Sequence, residues 1–174
     1  MAFMFRAALL CLIALPLFSQ TYSHRISGTF GAFVPAAGSD IASFDSAPVL
    51  AFDWGYRFNR YGQFDLGVDT AFASDAGRRR NVYLPRAGYS VVVPVWADRV
   101  EATIGAGAGY AFYKPTIPGN ETWLVYLQAG ADYALVPDGK YRAGLMLRWY
   151  RDPIGAPAQQ WLSVGASVSY HFGR

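Results

Sequence analysis

VEATIGAGAGYAFY, residues 100–113, separates into two unlike faces when taken two residues at a time. Val100, Ala102, Ile104, Ala106, Ala108, Tyr110 and Phe112 form an uncharged, mostly apolar set. Glu101, Thr103, Gly105, Gly107, Gly109, Ala111 and Tyr113 form a small or polar one. Successive side chains of a strand point to opposite sides, so alternation sustained over this length predicts an extended strand between two different environments. Glycine weakens a strand interior, and three in a row on one face imply close packing on that side. Which face meets water is decided by the rest of the chain.

The chain has 174 residues, the length of one domain. It is 53% hydrophobic, and its only lysines are Lys114 and Lys140. A soluble surface normally intersperses lysine with glutamate. A formal charge of +3 gives no case for a nucleic-acid partner. No apolar run reaches the roughly 18 residues that a helical membrane span needs.

The N-terminus reads as an address. Arg6, an apolar run over residues 7–18, and then Ser19, Gln20, Thr21 and Ser23 fit a secretory signal peptide. Residues 1–23 are therefore assigned to the signal, cleaved after Ser19 or Ser23, and residues 24–174 to the mature domain. The other reading of this segment is an N-terminal membrane anchor. Cys11 lies inside it without the small residues that precede a lipid-modified cysteine. The mature chain then has no thiol for a disulfide or a cysteine-based site.

The same alternation recurs at residues 24–34, 49–58, 64–73, 123–135, 142–150 and 162–172. A less regular strand covers 83–93, where Pro85 cannot donate to a ladder and is expected near the strand's start or at a bulge. Residue types predict tight turns at 59–62, 94–99 and 137–139. Longer connections are expected at 35–47, 74–81, 114–122 and 151–160, the second of them a polar loop carrying Arg78, Arg79 and Arg80. Eight strands of roughly 9 to 13 residues, joined alternately by long and short connections, are the pattern of a transmembrane β-barrel.

Charge decides the orientation. The apolar sets of all eight strands contain no charged residue. The opposite sets contain Arg25, Arg57, Arg86, Arg142 and Arg148 together with Asp53, Asp65, Asp69, Glu101 and Asp132. Facing out, that second set would make a soluble surface studded with glycine and almost free of lysine, as in a lipocalin-like barrel. Facing in, five cations and five anions neutralise one another in a lumen only just wide enough for side chains. The expected fold is therefore an all-β, eight-stranded antiparallel up-and-down barrel, apolar outside and charged inside. Aromatics near the strand ends are expected to form two interfacial belts. Tyr56, Phe58, Tyr133, Tyr170 and Phe172 fall beside the short turns, and Tyr83, Tyr113, Trp123, Trp149 and Trp161 beside the longer connections.

The segments GAGAGYAFY (105–113), QAGADYAL (128–135) and SVGASVSYHF (163–172) resemble the small OmpA/OmpX-type outer-membrane barrels of Gram-negative bacteria. The resemblance spans the whole mature chain and implies location in the cell outer membrane as a monomer. It also implies contact with the lipid bilayer and lipopolysaccharide, and insertion by the outer-membrane assembly machinery, which reads a C-terminal aromatic strand. Here Phe172 is followed by Gly173 and Arg174, so that signal is displaced. No peptidoglycan-binding domain follows, and a cell-wall tether is not implied.

Some eight-stranded outer-membrane barrels hydrolyse or transfer acyl groups, which requires a nucleophile, a base and an orienting acid within reach of one another. The mature chain offers only His24 and His171, both at the short-turn end, and no His-x-Ser pair. Neither an enzyme nor a cofactor or metal site is expected, since two histidines and scattered acids give no ligand spacing. Asp53, Asp65 and Asp69 read either as a salt-bridge network with the arginines or as an acid pair or cation site. Arg78, Arg79 and Arg80 read either as a solvated loop tip or as a contact for lipopolysaccharide phosphates, which arginine can hold bidentately. Two roles remain: a structural or interaction barrel with its outer loops free to bind, or a narrow conduit for small solutes or ions.

Overall fold

A computed structural model describes residues 23–37, 44–96, 99–115, 121–154 and 159–173. Residues 1–22 of the segment expected to be a signal peptide, with Cys11 and Ser19, and residues 116–120 of the connection expected at 114–122 lie outside the described residues. Eight strands follow in order: β1 (His24–Pro35), β2 (Ala47–Arg57), β3 (Gly62–Asp75), β4 (Arg78–Pro94), β5 (Val100–Lys114), β6 (Thr122–Ala134), β7 (Tyr141–Arg151) and β8 (Gln160–Phe172). Each pairs antiparallel with the next, and β8 returns to β1 to close the barrel. At the seam the Ser23 amide donates to the Gly173 carbonyl at 3.2 Å.

The stagger of the wall can be followed rung by rung. Arg25 pairs with Gly55, and the ladder continues through Asp65, Gly88, Gly107, Tyr126, Tyr150 and Trp161 to arrive at Pro35, ten residues above its start. Such a shear tilts the strands, typically by about 35–45°, and leaves an interior that side chains can fill.

The faces sort as the alternation requires. Outward residues Ile104, Leu145 and Phe30 are 70, 66 and 64% exposed, whereas inward Asp53, Asp65 and Arg148 are each 1% exposed. An apolar exterior around a charged, buried interior inverts the arrangement of a soluble protein, and lipid is the medium that matches it. Around the short-turn end His24 stacks on Trp54 and Phe172, with ring centroids 5.8 and 5.2 Å away, and Tyr141 lies 5.0 Å from Tyr170. Around the other end Tyr83 pairs with Phe112 at 5.4 Å and Tyr110 with Trp123 at 5.3 Å.

Three expectations are corrected. The third connection is not a long loop: β3 and β4 run on to a two-residue turn at Ala76 and Gly77, with Asp75 paired to Arg78. Both turn residues have positive φ, 48° and 75°, the backbone that a tight hairpin needs. Arg78, Arg79 and Arg80 are therefore strand residues. Pro85 lies mid-strand and not at a bulge. The β4–β5 pairing passes from Tyr83–Phe112 to Arg86–Gly109 in unchanged register, leaving a gap where the proline has no amide to give. Finally, Tyr113 and Trp161 belong to no belt. They face inward, 0 and 3% exposed, because each has the parity of the lumen-facing set.

Candidate functional site

The lumen is filled in three charged groups beneath an apolar cap. Nearest the short turns, Arg57 grips Glu101 with both terminal nitrogens, at 3.1 and 3.0 Å, and Arg142 approaches the same carboxylate at 3.5 Å. Above them Arg25 lies between Asp65 and Asp132, at 3.6 and 3.7 Å. Asp65 also accepts from Gln63 at 2.5 Å, from Ser90, and from Gln128 at 3.2 Å. In the third group Arg86 binds Asp53 and, at 3.0 Å, Asp69. Arg148 donates to Asp53 at 2.7 Å and to Gln128 at 3.2 Å, while the Tyr150 hydroxyl donates to Asp69. Gln128 thereby joins the second and third groups.

All ten charges anticipated for the lumen are brought together here, but not in equal shares. The third group balances two arginines with two aspartates. The second has one arginine for two carboxylates, and the first two arginines for one. The ten charges of the three groups sum to zero, so the excess of one group is offset by that of another.

Glycine makes these contacts possible. Several of the contacts bridge over an intervening strand, at points where a glycine leaves room for the side chains on either side to meet. Asp53, Gly67 and Arg86 share one rung, and the carboxylate and guanidinium meet above Gly67, where a Cβ would stand 3.0 Å from Arg86 Nη2. Arg25 reaches Asp65 over Gly55. Gln128 donates to Ser90 at 2.6 Å over Gly105, and Ser167 donates to Asp132 at 3.0 Å over Gly144. The remaining inward glycines of β5 serve bulk: a Cβ at Gly107 would lie 2.6 Å from the Tyr126 ring.

The outer third of the lumen is largely apolar, with Gln159 accepting from the Tyr113 hydroxyl at 2.6 Å at its edge. Phe33, Phe44, Val49, Val82, Leu84, Leu124, Tyr113, Tyr126, Tyr150 and Trp161 pack there as one cluster. Phe44 comes from the chain before β2, anchored by the Asp45 amide on the Ser74 carbonyl at 2.9 Å and by the Ser74 hydroxyl on the Asp45 carboxylate at 2.5 Å. Sequence reading missed this cap. Its signal was available, since Phe33, Leu124, Tyr113 and Trp161 all carry inward parity at the ends of their strands.

The three arginines of the former loop diverge. Strand alternation turns Arg79 outward with Asn81 and Tyr83. Arg78 and Arg80 lie on the mouth side, and Arg80 reaches the Pro115 carbonyl at 3.4 Å. The two histidines do not form a site together: His24 sits among the outer aromatics, while His171 is buried inside with Ser169 at 3.2 Å. Among the described residues no three Asp, Glu or His side chains converge in a way that could hold a metal ion.

No protein-family model matches the chain, and no curated protein matches it. Solved structures do. The Neisserial surface protein A structure superposes with a TM-score of 0.63 at 13% identity, covering 88% of this chain and 98% of that one. The outer membrane protein OprG from Pseudomonas aeruginosa gives 0.61 at 13%, covering 90 and 100%. Ail, the attachment invasion locus protein of Yersinia pestis, gives 0.53 at 11%, covering 86 and 97%. The fold is thus that of the small eight-stranded outer-membrane barrels.

Proposed function

We propose that this is a sealed barrel of the Gram-negative outer membrane, monomeric, with a structural or interaction role exercised at its outer end and not through its lumen. One observation carries the reading. At mid-height Arg148, 1% exposed, is tied to Asp53 and Gln128, and Arg86 closes on Asp53 from another strand, so the cross-section is spanned by side chains that hold one another. The apolar cap above adds a second barrier, one that ions cross reluctantly.

The lumen's ten paired charges act as structural partners, and the reading assigns them no catalysis. The lipid bilayer and the outer-membrane assembly machinery are its implied contacts, and its outer end is where a partner would bind. Recording from the mature protein in a planar bilayer tests the proposal. Little or no conductance is expected. A large, steady conductance would replace the sealed barrel with a conduit for small solutes or ions.

A further inference from the structure

We infer that the outer wall of β4 and β5 carries a seat for a phosphate group of an outer-leaflet lipid, built by Arg79 and Lys114 around Asn81. The inference rests on the membrane reading above, and deepens it by naming a partner.

The seat follows from the hairpin that replaces the expected loop. Along β4, Arg79, Asn81 and Tyr83 occupy alternate positions and share the outward face. They are linked: Arg79 Nε donates to Asn81 Oδ1 at 3.2 Å, and Asn81 Nδ2 donates to the Tyr83 hydroxyl at 3.5 Å. Across the ladder Asn81 is paired with Lys114, also outward and exposed. Two cations therefore flank one amide at the rim.

Depth and orientation select the ligand. One step below lies Tyr83 stacked on Phe112, and level with Asn81 on β3 stands the outward Phe72. Cations one step above an outward aromatic layer stand at the level of lipid headgroups. The Arg79–Asn81 bond uses Nε, leaving both terminal guanidinium nitrogens for a bidentate anion. Among the described residues no ion pair includes Arg79 or Lys114, and the Asp45 carboxylate accepts from Ser74, the residue paired with Arg79. Arg78 and Arg80, though equally charged, face the mouth and are not part of the seat.

The test uses the mature protein refolded in phosphatidylcholine vesicles. The temperature at which the compact band is lost on an unboiled gel is measured with added bisphosphorylated lipid A, with the same lipid stripped of both phosphates, and with inorganic phosphate. An upward shift of several degrees is expected with the bisphosphorylated lipid alone. It should vanish in Arg79→Gln/Lys114→Gln and persist in Arg78→Gln/Arg80→Gln. An equal shift with the dephosphorylated lipid overturns the inference, as does a shift produced by inorganic phosphate alone. So does loss of the shift in the mouth-facing variant, or its survival in the outward one. Failure of the wild type to enter vesicles would instead overturn the membrane reading.

Discussion

Arg148 and Asp53 meet at 2.7 Å across the lumen although 95 residues separate them in the chain. The pair exists because the staggered wall brings β7 level with β2, and it closes the barrel at its middle. Arg148→Ala leaves Asp53 and Asp69 with Arg86 as their remaining arginine. Breaking a buried pair in this way commonly costs about 3–5 kcal/mol. The urea midpoint of vesicle-refolded protein should fall accordingly, and ion leakage should appear in planar bilayers. Arg148→Met combined with Asp53→Leu should recover much of the midpoint, since well-packed apolar groups can replace a buried ion pair. An unchanged midpoint in Arg148→Ala would remove the pair from the account of stability.

The outer surface should show depth. Ile104, outward on β5, is 70% exposed in the apolar band. Ile104→Arg is expected to lose roughly 2–4 kcal/mol, while Val34→Arg, outward near the rim, should lose about 0–1. Equal losses in equilibrium unfolding from vesicles would count against a lipid-facing wall.

Two glycines separate packing from propensity. A Cβ at Gly28 meets nothing within 4 Å, whereas one at Gly67 would lie 2.8 Å from the Phe52 carbonyl and wedge between Asp53 and Arg86. Gly67→Ala should cost about 1–3 kcal/mol by overpacking. Gly28→Ala should be neutral or slightly favourable. Chemical unfolding of both variants decides; matching values would mean the arginine–aspartate contact does not depend on the bare backbone.

The outer hairpin carries a correctable strain. Ala76 holds φ at 48°, a region that alanine enters only at a cost and asparagine tolerates. Ala76→Asn would create the Asn-Gly turn that two-residue hairpins prefer. A gain of up to about 1 kcal/mol is expected from relief of the left-handed strain, and a loss would show that the turn is not of this kind.

That same alanine explains where sequence reading stopped. Strands and faces were legible because charge and alternation agree in every strand, from Arg25 in β1 to His171 in β8. The β3–β4 hairpin was not, since Ala76 is no turn residue by type and three arginines resemble a solvated loop. Tyr113 and Trp161 were assigned to a belt by their position near strand ends, although their parity placed them inside. The charged residues were identifiable, but their partners were not. Which aspartate meets Arg148 depends on the ten-residue stagger around the whole wall, a property of the closed barrel and not of any one segment.

The rung shared by Asp53, Gly67 and Arg86 also bears on how the chain recognises its own correct assembly. Alternating hydrophobicity rejects a slip of one residue, because every side chain would change sides. It is blind to a slip of two, after which every apolar residue still faces lipid. In the β2–β3 hairpin such a slip would set Asp53 opposite Asp69 in place of Gly67, joining like charges and filling the gap through which Arg86 reaches. The interior charges, with the glycines between them, therefore act as a proofreading key: they discriminate between barrels that the membrane itself would accept equally.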